Sequence, residues 1–197
     1  MAARSRNGAT SEKILDVAER LIQVRGYNGF SYADIASALD LTKASLHYHF
    51  PSKAELGQAL MHRYTHAFLA ALAELDTRLD CERAKLEAYV GIYSSVLANK
   101  RMCLCGMLAA EYATLPKAVK SEVTKFFDAN ESWLAMHLDA GRERKVLRFS
   151  GDAHEAAQLL VAGLEGAMML ARTYGDLARF EHASQLLLGN LVGSDRR

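Results

Sequence analysis

Apolar residues recur along most of this chain at the spacing of one α-helical face. Between residues 11 and 25 they fall three, four, seven and eight positions apart, which indicates a helix with one buried side. The members of this face are Ile14, Leu15, Ala18, Leu21 and Ile22. Thr10 or Ser11 can cap the start of the helix, and Gly26 is expected to end it in a left-handed conformation.

Two short helices are predicted next, over residues 31–39 and 42–50, with only two or three residues between them. Ser31 begins a capping-box-like Ser-Tyr-Ala-Asp, and Thr42 can cap the second helix. Pro51 ends that helix, because the residue before a proline disfavours helical backbone. A pair of helices joined by so tight a turn is typical of a helix-turn-helix unit.

The helix over 42–50 carries short polar and aromatic hydrogen-bonding side chains on its outer side. They are Lys43, Ser45, His47, Tyr48 and His49. Leu46 and Phe50 are spaced to point inward. A helix that enters the major groove of DNA needs such donors on its exposed face. Polar residues also cover small surface helices that bind nothing, so the pattern alone leaves both interpretations open.

The rest of the chain is predicted to be helical as well. A Ser52-Lys53-Ala54-Glu55 capping box starts a long fourth helix. Periodic apolar segments follow at 82–99, 102–113, 116 to about 140, 152 to about 174, and 177–192. The chain has only two prolines, and no segment alternates cleanly between apolar and polar residues. The predicted fold class is therefore all-α.

The last two of these helices carry more small and apolar residues than a small helical domain needs for its own hydrophobic core. These residues are Ala156, Leu159, Leu160, Gly163, Gly166, Ala167, Leu170, Ala183, Leu186, Leu187 and Leu191. Two such faces suit a four-helix interface between two copies of the chain. An ordinary core face is the alternative.

Composition narrows the class of protein only slightly. The net charge is +1, with a small positive excess in residues 1–66, so charge alone does not suggest a nucleic-acid partner. No apolar run is long enough for a membrane span, and no secretory signal is visible. Three cysteines are too few and odd in number for a disulfide framework. A cytoplasmic location is the simplest expectation.

Residues 11–60 also match a known family in the order and spacing of their motifs. The matching stretches include Gly26-Tyr27, Ser31 to Ala36, and the run from Leu41 through Tyr48 to Leu56. Together they resemble the DNA-binding domain of TetR-family transcriptional regulators. The resemblance implies a homodimeric, all-helical repressor with a DNA-binding domain at 1–55, of which 1–9 form a flexible arm. It also implies a ligand-binding and dimerisation domain at 56–197, with the dimer formed by the last two helices at about 152–192.

The resemblance further implies which residues contact the bases or phosphates of a palindromic operator. They are Ser31, Thr42, Lys43, Ala44, Ser45, His47, Tyr48, His49 and Lys53. The family usually has tyrosine where His47 stands, and a histidine can still donate to a phosphate, more readily when it is protonated. It usually has glycine where Asp40 stands, and aspartate tolerates the left-handed region better than most residues.

The stretch Met102-Cys103-Leu104-Cys105 is the most unusual in the chain. Within a helix, two thiols at this spacing point ~200° apart and cannot share a metal. Cys103 follows Lys100 and Arg101 at a predicted helix start, which favours a reactive thiolate. Together with Ala109-Ala110-Glu111 it is similar to a branch of the family that senses electrophiles through a cysteine. Packing as a small buried hydrophobe is the alternative for Cys103.

A reversible organic effector is the rival to thiol modification. Its pocket is predicted between the middle helices, where aromatic and methionine walls carry a few polar groups. The candidate residues, with Cys103 included, are His66, Tyr89, Tyr93, Cys103, Met107, Trp133, His137 and Met168. Each can equally belong to the core. His62 and His66 have a two-ligand metal spacing without a third ligand, so neither a metal nor another cofactor is predicted.

The sequence thus predicts a DNA-binding transcriptional regulator, released from its operator by a small-molecule effector or by modification of Cys103. A helical enzyme with Cys103 as nucleophile is one alternative, and nothing beyond the thiol supports it because common catalytic motifs are missing. An interaction module that no longer binds DNA is the other. The intact stretch from Lys43 to Lys53 argues against that module.

Overall fold

The computed structural model describes residues 2–192, and side chains from residue 8 onward. Within this range the chain forms nine α-helices and no strand, which confirms the all-α prediction. The helices are α1 (Ala2–Arg25), α2 (Tyr32–Leu39), α3 (Lys43–His49), α4 (Lys53–Arg78), α5 (Glu82–Ala98), α6 (Leu104–Ala110), α7 (Lys117–Glu143), α8 (Ala153–Tyr174) and α9 (Leu177–Val192), with a 3₁₀ turn at Tyr112–Thr114. None of them is both long and apolar enough to span a membrane.

The first helix is longer than its apolar periodicity indicates. It begins at Ala2 and not near Ser11, so residues 2–9, predicted as a flexible arm, form its first turns. This segment contains no proline, and its single Gly8 is tolerated in a helix at modest cost. Met1 lies outside the described residues.

The described residues pack into two compact units. The first unit contains the residues up to His66 and Leu104–Lys125, and the second contains Ala67–Cys103 and the residues from Phe126 onward. In the first unit α1 packs against both α2 and α6, and α2 packs against α3. The boundary predicted at residues 55 and 56 is thus not where the packing divides the chain. The division of DNA binding and ligand binding between 1–55 and 56–197 stays a prediction.

The second unit is built around α5, α8 and α9, which pack against one another. Its core contains large buried side chains from these helices and from α7. Among them are Leu86, Tyr89, Phe126, Leu134, Leu164, Met168 and Phe180. Asp152 caps α8 by accepting hydrogen bonds from the backbone of His154 and Glu155, and Gly175 ends that helix in the left-handed region with φ +64°.

The turn after α1 depends on a glycine, as the sequence predicted. Gly26 has φ +83°, and its N–H donates to Ile22 O at 2.8 Å. A Cβ at this position would lie 2.6 Å from a carboxylate oxygen of Glu111. That carboxylate also accepts a hydrogen bond from the backbone of Asn28 at 3.1 Å. Backbone conformation and close packing therefore both require glycine here.

Gly26→Ala is expected to lower the free energy of unfolding by about 1–2 kcal/mol, because alanine is strained at this φ and displaces Glu111. Gly91→Ala is the matched control, since a Cβ on that glycine of α5 meets nothing within 4 Å. It is expected to raise stability by up to ~1 kcal/mol. Urea unfolding followed by circular dichroism measures both variants, and a change of the same sign in the two would contradict the prediction.

Candidate DNA interface and effector site

Local hydrogen bonds fix the start of α3. Asp40 takes the left-handed conformation in the turn, with φ 53°, and its N–H donates to Ala36 O. Thr42 Oγ1 accepts from the backbone N–H of Ser45 at 3.1 Å. Leu46 is completely buried and anchors the inner side of the helix. Asp40 and Thr42 thus have the turn and cap roles that the sequence predicted.

The other side of α3 is open to solvent. Thr42, Lys43, Ala44, His47 and Tyr48 are exposed, and Ser45 and His49 are half-buried. Tyr48 is the most prominent, with 75% of its surface exposed. Its ring is therefore accessible on the outer side of α3, where the sequence predicts a contact with DNA.

The two histidines next to Tyr48 are oriented by neighbouring groups. His49 Nδ1 lies 3.1 Å from Ser11 Oγ on α1. His47 Nδ1 lies 3.1 Å from Pro51 O, and its ring packs on Tyr32 with 4.8 Å between centroids. Because a carbonyl oxygen only accepts, the Nδ1 of His47 is the protonated nitrogen. Its Nε2 then donates to a phosphate only when the ring is positively charged.

A shallow groove of about 390 Å³ lies between the start of α2 and the outer side of α3. It is lined by Phe30, Ser31, Tyr32, Ala33, Lys43, His47 and Lys53. Ser31, Lys43, His47 and Lys53 belong to the predicted DNA contacts, and the structure brings these four together. Two lysines, a histidine and the N-terminus of a helix make a suitable surrounding for a backbone phosphate.

Two of the predicted contacts also have partners within the fold. The N–H and the hydroxyl of Ser31 donate to the carboxylate of Asp34 at 2.8 and 2.7 Å. Lys53 Nζ donates to Phe30 O and lies 4.1 Å from the centre of the Phe30 ring. Burial lowers the pKa of Lys53. Lys53 therefore holds the segment before α2 in place, and its contact with a phosphate stays a prediction.

Tyr32 fixes α2 against the end of α3, a role that sequence reasoning missed. Its hydroxyl donates to Phe50 O at 2.7 Å. Burial, assisted by the charge of Glu55, raises the pKa of Tyr32 to about 12, so the hydroxyl keeps its proton at neutral pH. The position of the exposed face of α3 therefore depends on this hydrogen bond.

Three polar side chains form a closed triangle inside the second unit. Tyr89 OH donates to Asn130 Oδ1 at 2.8 Å, Asn130 Nδ2 donates to Tyr93 OH at 3.2 Å, and the two hydroxyls lie 3.0 Å apart. All three residues are buried. Burial raises the pKa of both tyrosines, so both are neutral phenols. The two tyrosines were predicted to lie together, whereas Asn130 was missed.

Cys103 lies beside a carboxyl group that the sequence analysis did not identify. It is buried just before α6, and its thiol lies near the carboxyl group of Glu165 on α8. Both carboxyl oxygens of Glu165 are buried. Burial and the neighbouring thiol raise the pKa of Glu165 to about 10. The signal in the sequence was that Glu165 is the only ionisable residue between Glu155 and Arg172.

His137 belongs to an ion cluster of the second unit that also contains Asp76, Glu82 and Lys85, and Trp133 bonds to it. His137 Nδ1 lies 2.6 Å from Glu82 Oε2, and its Nε2 lies 2.8 Å from Asp76 Oδ1. Trp133 Nε1 donates to Asp76 Oδ2 at 3.0 Å. Lys85 lies 3.5 and 3.7 Å from the same two carboxylates.

His137 lies between two carboxylates, with Nδ1 close to Glu82 and Nε2 close to Asp76. Its place in an effector pocket stays a prediction. Trp133 stacks on Tyr89 with 5.7 Å between centroids and 23° between planes. It therefore joins the ion cluster to the tyrosines, and its role in effector binding stays a prediction.

The remaining predicted effector residues are divided between the two units. Met168 is fully buried on α8 in the second unit. His66 and Met107 belong to the first unit, where Met107 is half-buried. His66 is exposed on α4, and its contribution to an effector pocket stays a prediction. Among residues 8–192, no group of three or more His, Cys, Asp or Glu side chains is arranged to hold a metal ion.

Comparison with known proteins agrees with this arrangement. The family model described as bacterial regulatory proteins, tetR family, matches residues 14–60, and the model described as tetracyclin repressor-like, C-terminal domain, matches residues 82–187. A TetR-family regulator from Agrobacterium tumefaciens has a crystal structure that superposes with a TM-score of 0.92 at 34% identity, covering 95% of this chain and 100% of that one.

A curated relative gives the functional class. The HTH-type transcriptional repressor NemR of Escherichia coli K12 is 26% identical over 181 residues, which cover 88% of this chain and 89% of NemR. A crystal structure of the reduced form of E. coli NemR superposes with a TM-score of 0.81, covering 95% of this chain and all of that one. The chain therefore belongs to the TetR family of bacterial regulatory proteins and is a DNA-binding transcriptional repressor.

Proposed function

We propose that this repressor acts in the cytoplasm as a homodimer that binds a palindromic operator through α3 of each copy. An effector that reaches the surroundings of Cys103 releases it. The observation that carries the DNA-binding part is the groove in which Ser31, Lys43, His47 and Lys53 meet beside an exposed Tyr48. Phosphate contacts from such groups position a protein on DNA, while side chains of the inserted helix read the bases.

The outer sides of α8 and α9 support the homodimer. Leu159, Met169, Leu170 and Leu186 are each more than half exposed, although they lie on helices whose other faces form the core. Gly166 on α8 has nothing within 4 Å of where a Cβ would be, so another helix can approach closely. An apolar stripe on two adjacent helices suits a self-complementary four-helix interface.

The proposed dimer determines how the repressor would bind its operator. Two copies related by a two-fold axis present two α3 helices to half-sites about one helical turn of DNA apart, or a multiple of it. An effector weakens this binding only when it favours the state whose α3 helices do not fit both half-sites.

Two kinds of effector are compatible with the second unit. The buried thiol of Cys103 offers a nucleophile, and the rings of Tyr89 and Tyr93 offer stacking surfaces to a reversible ligand. Support for the thiol comes from the similarity to NemR, one structure of which is described as a reduced form.

The DNA-binding part is tested by fluorescence anisotropy on DNA from the region upstream of its own gene, over a range of salt concentrations. Lys43→Ala is expected to weaken binding and to reduce the slope of log Kd against log salt by about 1, because one phosphate contact is lost. Tyr48→Ala is expected to weaken specific binding by 1–3 kcal/mol, or ~5- to 150-fold.

Lys117→Ala is the control for these variants, because Lys117 is an exposed lysine of the same unit that is not a predicted contact. Equal effects of Lys43→Ala and Lys117→Ala would contradict the assigned interface. If neither upstream DNA nor a sequence chosen by genome-wide selection were bound, the proposed mode of operator binding would fail.

A further inference from the structure

The neighbours of His47 determine which of its ring nitrogens is available to a ligand. Its Nδ1 lies 3.1 Å from Pro51 O, and a carbonyl oxygen only accepts, so Nδ1 holds the proton of the neutral ring. The ring packs on Tyr32 with 4.8 Å between centroids. The hydroxyl of Tyr32 donates to Phe50 O and therefore not to the histidine. Nε2 of this exposed residue is the nitrogen that remains for a partner outside the chain.

The charges around this ring favour an anion as the partner. His47 lines the shallow groove of about 390 Å³ together with Ser31, Lys43 and Lys53. Among the described residues that line the groove there is no carboxylate. The group that balances a positive ring there is therefore an external anion, and a DNA phosphate is the anion that the proposed function brings to it.

The other titratable groups near the groove come from three helices. Those that line it with His47 are Tyr32 on α2, Lys43 on α3 and Lys53 on α4. Burial and the charge of Glu55 raise the pKa of Tyr32 to about 12, so this phenol is neutral. Glu55 on α4 and Asp34 on α2 each accept a hydrogen bond from the serine that precedes their helix. Neither acid is the partner of the histidine, and the two lysines give the groove its charge.

We propose that His47 takes up a proton from solvent when a DNA phosphate enters this groove, so that DNA affinity rises as the pH falls through the range in which imidazole titrates. A neutral ring with Nδ1 on Pro51 O presents only the lone pair of Nε2, which repels a phosphate oxygen. Protonation of Nε2 replaces the lone pair by an N–H that donates to the phosphate. One proton enters per occupied groove, and no other bond changes.

This inference rests on the proposed function, in which α3 and the groove contact DNA, and it adds the pH dependence of that contact. An ordinary histidine titrates near pH 6.5, so ~75% of such rings are protonated at pH 6 and ~3% at pH 8. Binding that needs the protonated ring then gains up to ~25-fold per groove over this interval. For the whole protein we expect DNA binding to be at least ~10-fold tighter at pH 6 than at pH 8.

The test is fluorescence anisotropy with the full chain at pH 6, 7 and 8 and one low ionic strength. One duplex is the upstream DNA, and the other has the same length and an unrelated sequence. Because phosphate contacts carry no sequence information, both duplexes should show the pH effect. His47→Gln and His47→Tyr each offer a donor that does not titrate in this range, so both are expected to reduce the effect below ~3-fold. His62→Gln is the control, since His62 is an exposed histidine of the same unit that is not a predicted contact, and it should keep the full effect.

Calorimetry counts the protons directly. Binding is measured at pH 7 in two buffers that differ in ionisation enthalpy, and the difference in heat gives the number of protons taken up. The unsubstituted protein is expected to take up ~0.5 or more protons per bound copy beyond those taken up by His47→Gln. A role of His47 in folding alone would leave this number unchanged.

Equal affinity at pH 6 and pH 8, or a pH effect that persists in both His47 variants, would overturn the proposal. Affinity that falls towards pH 6 would also overturn it, because Nε2 would then accept a hydrogen bond from a base. Loss of the effect in His49→Gln and not in the His47 variants would assign the proton to the other histidine of α3. In these three cases DNA is still bound, so the proposed function stands. If the unsubstituted protein bound neither duplex at any of these pH values, the proposed function would fail and this inference with it.

Discussion

Leu186→Asp is expected to convert the dimer into monomers and to lower operator affinity at least ~100-fold. Leu186 is 71% exposed on α9, which packs against α8, the helix that carries the other exposed residues of the proposed interface. In a two-fold symmetric interface one substitution places two carboxylates on the apolar surface, and their desolvation opposes association. A monomer binds one half-site and loses the effective concentration that the second half-site provides.

Met136→Asp is the matched control for this experiment. Met136 is an apolar residue of the second unit that is similar in size to Leu186 and has 55% of its surface exposed. It lies on α7, outside the proposed interface. Light scattering after size-exclusion chromatography gives the mass, and anisotropy gives the operator affinity. A Leu186→Asp protein that remains dimeric, or dissociation by Met136→Asp to the same degree, would place the interface elsewhere.

The helices of this protein could be predicted because their signals are local. Asp152 and Gly175 mark the two ends of α8 through bonds to neighbouring backbone groups, and the predicted bounds of 152 to about 174 agree with the helix at Ala153–Tyr174. The fold class and the helix-turn-helix unit follow from the same kind of signal, repeated along the chain. The start of α1 was misplaced because residues 2–10 carry neither an apolar face nor a breaker.

The partners inside the second unit could not be predicted in this way. His137 pairs with Glu82 across 55 positions of sequence, and Trp133 pairs with Asp76 across 57. Helical periodicity indicates that a residue faces inward, but it does not indicate which residue of another helix it meets. For the same reason the sequence placed Tyr89 and Tyr93 together, four positions apart on one helix, and missed Asn130.

The two buried groups differ in what they contribute. The tyrosine triangle is composed of neutral groups that can rearrange around a ligand. The ion cluster is composed of charges, which are costly to separate in a buried site. Trp133 contacts the ion cluster through Asp76 and the tyrosine triangle through Tyr89. We therefore expect the ion cluster to act as a fixed support for the rings that face the effector.

His137→Ala tests this support and is expected to lower the free energy of unfolding by about 1–3 kcal/mol. The substitution leaves Glu82, whose side chain is only 3% exposed, beside Asp76 without the imidazole that lies between them. Lys85 remains 3.5 and 3.7 Å from the two carboxylates, and Arg144 Nη1 still donates to Glu82 Oε1 at 3.0 Å. These cations offset only part of the loss, because Glu82 Oε2 loses its 2.6 Å partner in a buried position.

His154→Ala is the control for this variant, since that histidine is half exposed and lies 3.8 Å from Glu131. Its effect is expected to stay within about 0.5 kcal/mol. Both are measured by urea unfolding at one protein concentration, because dimerisation adds to apparent stability. Glu82→Gln in the His137→Ala background should recover part of the loss, because it removes the repulsion between Glu82 and Asp76 that the imidazole had separated. Equal stability of His137→Ala and His154→Ala would instead mean that solvent reaches the carboxylates and that the ion cluster does not hold Trp133 in place.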